Sequence, residues 1–379
     1  MKVLLIHADL EGGGPQRVLR RLVLWADRTK FEVGLCYIPL KFKISAALID
    51  EIKFAKTRLF LLRGKHPLLD PRFFFSLVSA VRRFSPDVIN FHTASMAIVG
   101  APLRYIYPRA KFVYSDHTPI DNIGSPWLSR WQYPTLKFSL RKMDGIIFVS
   151  AEVQNIFKKL FQLTHPKMSI IHPGIEIPTI EEIRQMREKT RKYLGVSDYE
   201  ILVGGIGMLE KRKGFHDLLM AFSKVASSRR FPLKLVLFGD GPEYPNLKEM
   251  ANCLGISDKA IFTGYWNGVS LEALAALDIY VHPSYMEAMS AALIEAAACG
   301  LPLVASKVGG NTSIVDSGNN GYLFECGDIS ELSQSLNLLI NKSLDERRQM
   351  GRLSRTKAQS YSVEKMVKKY EEFWLSIVA

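Results

Sequence analysis

Cysteine is scarce in this sequence and has no regular spacing. Four cysteines occur among 379 residues, at positions 36, 253, 299 and 326, and none belongs to a Cys-x-x-Cys pair. Structural zinc sites and the disulfide frameworks of small secreted domains need closely spaced cysteines. The spacing therefore argues against a structural zinc site and against a disulfide-rich secreted domain. We expect reduced thiols in a cytosolic protein.

Long apolar runs are also missing. No stretch approaches the roughly 20 apolar residues that a helix needs to cross a bilayer. The apolar run at the start, MKVLLI, is too short for a signal peptide, and the chain continues into Glu11 and a glycine-rich turn. We therefore interpret residues 3–6 as the first strand of a folded domain.

Two motifs of nucleotide chemistry are absent as well. The chain has no Asp-x-Asp pair, which would hold a divalent ion against a diphosphate, so we expect neither a metal nor a cofactor. The turn Gly12-x-Gly14 has Arg17 where the dinucleotide-binding fingerprint needs its third glycine. That difference argues against a dehydrogenase.

Acidic residues are scarce in the first half of the chain. Residues 1–175 contain 26 Lys or Arg against 12 Asp or Glu, whereas residues 176–379 contain 24 against 25. The net charge of +13 therefore belongs to the first half, which suits an anionic partner such as a membrane surface, a phosphorylated acceptor or a nucleic acid. Because RNA-binding aromatic stripes and zinc spacings are missing, we expect no nucleic acid, and a nucleic-acid-binding protein is the non-enzyme alternative.

What the sequence does contain is a regular alternation of apolar strand patterns with helix patterns. In the first half, strands are predicted near residues 3–6, 33–38, 58–62, 87–90, 111–114 and 146–149. A second alternating series begins at Ile201, after a charged helical segment from Glu176 to Lys192 that we interpret as a linker. The length and the alternation predict two doubly wound α/β domains.

The stretch from residue 278 to 306, DIYVHPSYMEAMSAALIEAAACGLPLVAS, carries the candidate chemistry. It is predicted to form a buried strand, a loop with Glu287, a helix with Glu295 and a second buried strand, which make up one βαβ unit. Ligands of such sheets bind beyond the carboxyl ends of the strands, where this loop lies. The free N–H groups and the dipole at the start of the helix form an anion site.

This stretch resembles the nucleotide-sugar motif of retaining glycosyltransferases of family 4. The resemblance is carried by His-Pro-Ser before Glu287 and by Glu-Ala-x-Ala-x-Gly-x-Pro-x-Val-Ala from Glu295. It implies that Glu287 faces the donor sugar and that Glu295 holds the ribose hydroxyls. It also implies that the backbone amides of Met289, Ser290 and Ala291 hold the diphosphate.

Other segments resemble the same family in order along the chain. Lys213 matches the lysine of a Gly-Arg-x4-Lys-Gly pattern that contacts the diphosphate. Met208 stands where the family often has arginine, and Lys211 or Arg212 could substitute for that arginine. His117 matches the histidine beside the donor sugar. The remaining donor-binding candidates lie in turns of the family's form: Gly13, Gly14, Gly239, Gly264 and Tyr265.

The resemblance implies a GT-B fold, in which two doubly wound Rossmann-like domains face each other across a cleft. We place an acceptor-binding domain at residues 1–176 and a nucleotide-sugar-binding domain at residues 177–361. The last helix, about residues 362–379, has the family's Ser-x-Glu start and aromatic content, and it is expected to pack back on the first domain.

The implied activity is that of a retaining, metal-independent hexosyl- or N-acetylhexosaminyl-transferase. A UDP-sugar is expected as donor in preference to a GDP-sugar. The expected acceptor is a glycan or lipid-linked glycan of cell-surface polysaccharide, lipopolysaccharide or glycolipid synthesis. Lys213, Glu287 and His117 are the catalytic candidates, and no carboxylate is assigned as nucleophile because front-face attack is favoured in this family. A sugar-nucleotide epimerase or a phosphorylase on the same fold is the enzymatic alternative.

The segment from residue 127 to 143, WLSRWQYPTLKFSLRKM, interleaves aromatic with basic residues. Such a mixture suits the interface of a membrane. We therefore predict that the first domain contacts an anionic membrane surface, and that the protein is cytoplasmic and peripheral on the inner face of the cytoplasmic membrane. A solvated basic face over a buried aromatic core is the alternative interpretation.

Overall fold

The chain forms two compact units. The structure is a computed structural model that describes residues 1–7, 14–38, 50–52, 54–64, 67–117, 132–164, 167–227 and 232–379. The N-terminal unit comprises Met1–Gly174 together with Val363–Ala379, and the C-terminal unit comprises Ile175–Ser362. The boundaries placed from the sequence, after residues 176 and 361, lie within two residues of these.

Each unit is built on a parallel sheet. Within the described ranges, seven strands form the N-terminal sheet in the order β3-β2-β1-β4-β5-β6-β7, and six form the C-terminal sheet in the order β10-β9-β8-β11-β12-β13. The strands are β1 (Lys2–Ile6), β2 (Glu32–Tyr37), β3 (Arg58–Leu61), β4 (Val88–Phe91), β5 (Lys111–Asp116), β6 (Gly145–Phe148), β7 (Met168–Ile170), β8 (Ile201–Ile206), β9 (Leu233–Phe238), β10 (Ala260–Phe262), β11 (Ile279–His282), β12 (Leu303–Ser306) and β13 (Gly321–Phe324).

Helices connect the strands and cover the sheets, as doubly wound connections require. Those described are α1 (Gly14–Trp25), α2 (Pro71–Phe84), α3 (Ala94–Gly100), α4 (Leu103–Ile106), α5 (Gln132–Leu140), α6 (Ala151–Phe161), α7 (Ile180–Leu194), α8 (Phe215–Ser227), α9 (Tyr244–Cys253), α10 (Ser270–Ala275), α11 (Ala291–Ala298), α12 (Asn311–Ile314), α13 (Ile329–Asn341), α14 (Leu344–Ala358) and α15 (Val363–Val378). Among the described residues, no helix combines the length and the apolarity that a bilayer crossing requires.

The C-terminal helix α15 is part of the core of the N-terminal unit. Its Trp374 is fully buried, and the indole meets the ring of Phe31 edge-on at 5.9 Å between centroids. The indole Nε1–H donates to Oδ1 of Asn90 in β4 at 3.0 Å, so the polar end of the side chain is satisfied inside the core. Helix α15 and the first half of the chain thus belong to one compact unit.

The segment predicted as a linker is a packed helix of the C-terminal unit. Helix α7 starts with a capping box of Thr179 and Glu182, as its sequence favours. Arg191 is only 3% exposed, and its guanidinium contacts Asp278 at 3.1 Å, just before β11. Asp278 also accepts a hydrogen bond from the backbone N–H of Leu202 at 2.8 Å. A buried charge needs such a partner, and this contact holds α7 against the sheet.

Candidate active site

The candidate site lies where the strand order of the C-terminal sheet reverses. β8 and β11 are neighbours there, but the chain runs from β8 outward through β9 and β10, and from β11 outward through β12 and β13. Ligands of open α/β sheets bind at such a switch point, beyond the carboxyl ends of the strands. Lys213 follows β8 and Glu287 follows β11, so the topology brings both side chains to this edge.

The loop that carries Glu287 is held between two glycines. A Cβ atom at Gly214, whose φ is +66°, would lie 2.0 Å from the carbonyl oxygen of Pro283. A Cβ atom at Gly309, whose φ is +51°, would lie 1.8 Å from the carbonyl oxygen of Glu287. Only glycine permits these approaches. The backbone N–H of Tyr285 then donates to the carbonyl of Arg212 at 2.8 Å, which ties the loop to the turn of Lys213.

The carboxylate of Glu287 is the centre of a buried polar cluster. Its Oε1 accepts from the Lys213 ammonium at 2.5 Å, from the Ser284 hydroxyl at 3.0 Å and lies 3.0 Å from Nε2 of His282. Nδ1 of the same histidine lies 3.1 Å from the hydroxyl of Tyr280. Glu287 is 8% exposed and His282 is 3% exposed. The ligand-facing edge of the sheet thus carries an ion pair fixed by a network of hydrogen bonds.

The electrostatics of the cluster favour an ionised Glu287 and a neutral His282. Burial alone would raise the pKa of Glu287, but the charge of Lys213 and the hydrogen bond with His282 outweigh burial and hold the pKa well below its usual range. Burial lowers the pKa of His282, although the nearby carboxylate opposes that shift. At neutral pH Glu287 is therefore a carboxylate and His282 is an uncharged imidazole.

The N-terminus of helix α11 lies directly after this loop. Ser290 is the N-cap, and its hydroxyl accepts from the backbone N–H of Leu293 at 3.2 Å. In the described part of the chain, the backbone N–H groups of Met289, Ser290 and Ala291 have no hydrogen-bond acceptor. These free donors and the positive end of the helix dipole can bind an anion. Further along the same helix, buried Glu295 accepts from the Ser270 hydroxyl at 2.8 Å.

A second group of candidates lies one strand away from the switch point. Gly239 follows β9, and its backbone N–H donates to the carbonyl of Gly264 at 3.0 Å, so these two turns are joined. Tyr265 is 75% exposed beside them. These turns follow β9 and β10, on the same side of the switch point as β8, which leads to Lys213.

Three histidines occupy the corresponding edge of the N-terminal sheet. His7, His92 and His117 follow β1, β4 and β5, which are adjacent strands. Nδ1 of His92 lies 3.2 Å from Nε2 of His117, and the two rings are nearly parallel. Burial and the nearby His7 lower the pKa of His117 to about 3. Burial, with His117 and His7 beside it, also lowers the pKa of His92.

Comparison with known proteins assigns the family. The sequence model described as glycosyl transferases group 1 matches residues 186–357, and the model described as glycosyltransferase family 4 matches residues 12–177. The chain belongs to glycosyltransferase family 4. It is therefore a glycosyltransferase, and the family predicted from its motifs is confirmed.

Individual relatives are distant, but they match along most of the glycosyltransferase. The N-acetyl-alpha-D-glucosaminyl L-malate synthase of Bacillus anthracis is 28% identical over 83% of this chain and 81% of its own length. An uncharacterised glycosyltransferase of Methanocaldococcus jannaschii is 31% identical over 62% of this chain and 61% of its own. The crystal structure of HepE from Anabaena in complex with UDP superimposes with a TM-score of 0.81 at 24% identity, covering 99% of this chain and all of that one. The expected GT-B fold is confirmed.

The glycosyltransferase structure brings some predicted site residues together and separates others. Lys213 and Glu287 form one cluster, and the amides of Met289, Ser290 and Ala291 follow it in the chain. Arg212 turns instead to Glu210 at 2.5 Å, and Met208 is 60% exposed, so Lys213 is the cation at the carboxylate. Gly14 begins α1, whereas Gly13 lies outside the described residues.

Sequence reasoning missed the partners that hold the site residues in place. His282 and Ser284 contact Glu287, Tyr280 contacts His282, and His92 contacts His117. The signal for His282 and Ser284 was present in His-Pro-Ser, which served only to recognise the family. His92 follows a buried strand, as His117 does, and the adjacency of β4 and β5 would have paired them.

Proposed function

We propose that this glycosyltransferase moves a sugar from a UDP-sugar to a glycan or lipid-linked glycan acceptor with retention of the anomeric configuration. The observation that carries the proposal is the Lys213–Glu287 pair at the switch point, followed at once by the free amides at the start of α11. A cation, free N–H donors and a fixed carboxylate are the groups that a sugar diphosphate requires. The same arrangement has no evident use in a nucleic-acid-binding protein.

The leaving diphosphate is the part of the reaction that most needs stabilisation. As the bond between sugar and phosphate breaks, negative charge grows on the diphosphate, and preorganised donors lower the barrier. Lys213 and the amides of Met289 to Ala291 supply those donors. Glu287 orients the sugar hydroxyls and supports the positive charge that develops on the sugar, and His117 keeps the catalytic role that the family resemblance implies. Glu295 holds the ribose hydroxyls, and no side chain is assigned as a nucleophile.

A UDP-sugar is the donor favoured by the relatives. HepE of Anabaena was crystallised with UDP and with UDP-glucose, and the Bacillus anthracis relative is named for an N-acetylglucosaminyl product. We propose that no metal ion takes part, because Lys213 and the start of α11 supply positive charge where the diphosphate binds. Within the described ranges, no three His, Cys, Asp or Glu side chains are grouped to share a metal ion.

The N-terminal unit carries an exposed aromatic and basic surface, which supports a membrane-associated acceptor. The ammonium of Lys142 lies 5.3 Å from the ring centroid of Phe138 in α5 and 5.5 Å from that of Tyr105 in α4, and both rings are more than half exposed. Aromatic rings beside a cation suit the headgroup region of a bilayer. Trp127, Trp131 and Arg130 of the same predicted surface lie outside the described residues.

A groove elsewhere in the N-terminal unit is also lined by basic residues. It has a volume of about 660 Å³, lies between β3 and α2, and is lined by Arg63, Arg72 and Arg83 together with exposed Phe75. The hydroxyl of Tyr107, at the end of α4, donates to the carbonyl of Val78 in α2 at 3.2 Å, so these two helices of the N-terminal unit contact each other. Each basic residue near an anionic leaflet contributes about 1 kcal/mol. We propose that this side of the N-terminal unit contacts the membrane and its lipid-linked acceptor.

The decisive test of the reaction is a binding panel followed by product analysis. Calorimetric titration should show binding of UDP and of a UDP-sugar, and weaker or no binding of GDP. NMR of the product formed with candidate acceptors should show the anomeric configuration of the donor. Conversion of the UDP-sugar to a different UDP-sugar without acceptor would instead establish an epimerase. Inversion, or failure to bind any nucleotide sugar, would contradict the proposal.

The membrane contact is tested by flotation with vesicles. Binding to phosphatidylglycerol vesicles should be strong at low salt, weaken at high salt, and be absent with phosphatidylcholine. The double variant Phe138→Ser, Lys142→Ser should bind less. Tyr199→Ser is the matched control, because Tyr199 is a 90% exposed aromatic residue of the C-terminal unit. Equal binding by both variants would argue for a soluble acceptor and a merely solvated basic face.

A further inference from the structure

A buried network of hydrogen-bonded side chains connects β11 with the carboxylate of Glu287. Tyr280 and Ser284 are fully buried and His282 nearly so, yet all three place polar atoms toward one another. Buried polar groups are costly unless they are paired, and a network of this kind is retained when its arrangement matters. The network leads to the side chain that is proposed to face the donor sugar.

The distances determine which nitrogen of His282 carries the proton. A neutral imidazole has one N–H donor and one acceptor nitrogen. If the proton were on Nδ1, the lone pair of Nε2 would face the Glu287 carboxylate at 3.0 Å and repel it. The Nε2–H form removes this conflict: the imidazole donates to Glu287, and Nδ1 accepts from the Tyr280 hydroxyl at 3.1 Å.

The two oxygens of the Glu287 carboxylate are used differently. Oε1 meets all three donors of the cluster, from Lys213, His282 and Ser284. Oε2 receives no hydrogen bond from any residue that the structure describes. The protein therefore holds the carboxylate by one oxygen and leaves the other for a hydroxyl of a ligand.

We infer that His282 is a positioning residue for Glu287, with its proton held on Nε2 by the carboxylate and with Nδ1 accepting from Tyr280. This inference rests on the proposed role of Glu287 in facing the donor sugar. A bound diphosphate competes for the ammonium of Lys213, and the contact of that ammonium with Oε1 then weakens. His282 and Ser284 keep Oε1 in place at that stage, so that Oε2 stays directed at the sugar. His282 consequently acts on turnover more than on donor affinity.

The test uses the full chain and two substitutions that separate the ring nitrogens. The amide of His282→Gln can reach the place of Nε2 and donate to Glu287, whereas the shorter amide of His282→Asn ends near the place of Nδ1. UDP release from UDP-glucose and from UDP-N-acetylglucosamine serves as the probe of turnover.

We expect His282→Asn to lose about 10- to 100-fold in kcat, which is the range for a lost hydrogen bond to a charged group. The KM for the donor should change less than about 3-fold. His282→Gln should keep kcat within about 5-fold of wild type. Equal losses in both variants, or a loss in KM alone, would overturn the inference.

A spectroscopic measurement tests the same point without turnover. In wild-type protein with ¹⁵N-labelled histidine, the resonances that disappear in His282→Gln should show the Nε2–H tautomer at pH 7. In Tyr280→Phe, which keeps the ring and removes only the hydroxyl, the Nε2–H form should persist, because the carboxylate of Glu287 still faces Nε2. A wild-type spectrum of the Nδ1–H form would refute the inference directly.

Failure of the proposed function can be told apart from failure of this inference. If Glu287→Ala kept wild-type turnover, the proposed role of Glu287 would be wrong. If Glu287→Ala lost turnover but His282→Asn did not, only the positioning role of His282 would be wrong. Calorimetric binding of UDP to each variant, expected within about 3-fold of wild type, shows that the C-terminal unit is folded.

Discussion

The two switch points of this glycosyltransferase share a topology and differ in charge. In the C-terminal unit, the strands on either side of the reversal lead to Lys213 and Glu287, which meet as an ion pair. In the N-terminal unit, β1 and β4 flank the reversal, and they lead to His7 and His92 beside His117. Parallel strands bring the residues after them to one edge in both units, whereas the side chains at that edge decide whether it is charged.

The physical reason for the difference is the presence or absence of a counter-charge. Glu287 is buried and remains ionised because Lys213 lies against it. His117 is partly buried beside other histidines, which are like charges when protonated, and burial together with the nearby His7 lowers its pKa to about 3. The charged edge suits a diphosphate, and the neutral edge suits the uncharged hydroxyls of a sugar. Variants at each edge test whether this difference in charge determines what the edge binds.

Removing the cation of the charged edge should have the largest effect. Lys213→Ala should lower turnover by about 10²-fold or more, because it removes one preorganised donor from the diphosphate and leaves Glu287 buried without its counter-charge. Steady-state kinetics with the donor measure the loss. Arg212→Ala is the matched control, since Arg212 pairs with Glu210 instead, and should cost less than about 10-fold. If Arg212→Ala lost more turnover than Lys213→Ala, Arg212 would be the diphosphate ligand instead.

The second effect concerns binding of the nucleotide alone. Glu295→Ala should weaken UDP binding by about 10-fold or more, because a hydrogen bond to a charged group contributes about 1.5–3 kcal/mol. His117→Ala changes the neutral edge and should leave UDP affinity within about 3-fold of wild type while lowering turnover. Calorimetric titration with UDP compares the two. If both variants weakened UDP binding equally, the two edges would not differ in their contribution to binding the nucleotide.

Acidification should destabilise the two edges in different pH ranges. The folded-state pKa of His117 lies below its unfolded value of about 6.5, so its contribution to stability is present above pH 6.5 and is lost as pH falls toward 3. The pKa of Glu287 is also lowered, from 4.5, so its contribution is lost only below about pH 4.5.

Between pH 6.5 and 5, His117→Gln should therefore lose less stability than wild type, by about 1–2 kcal/mol. Glu287→Gln should follow the wild-type curve in that range. Denaturant unfolding at each pH gives the comparison, and parallel curves for wild type and His117→Gln would show that His117 is protonated normally.

The smallest expected effect is that of a chelator. If Lys213 and the start of α11 supply the positive charge, turnover in excess EDTA should equal turnover without it. Loss of activity that Mn²⁺ or Mg²⁺ restores would show that the charged edge is completed by a metal ion.

Much of the fold was predictable because the relevant signals are local. Buried strands such as Val3–Ile6 and Ile279–Val281 are short apolar runs, and alternation of such runs with helices specifies parallel sheets. The helix at Ser290 was predictable from its cap and from Gly300 beyond its end. The interpretation of residues 176–192 as a linker was incomplete, because the burial of Arg191 depends on Asp278, 87 residues away in the chain.

The sequence by itself determined the family, the two α/β domains and the residues at the strand ends, since each depends on patterns within a few tens of residues. Only the tertiary structure decided which of those residues meet. It paired Lys213 rather than Arg212 with Glu287, placed His282 against one oxygen of that carboxylate, and set His92 beside His117. The Lys213–Glu287 and His92–His117 contacts join residues that follow different strands, and the pKa values of Glu287 and His117 follow from burial and charge at these contacts. Neither quantity exists until the strands have been ordered into a sheet.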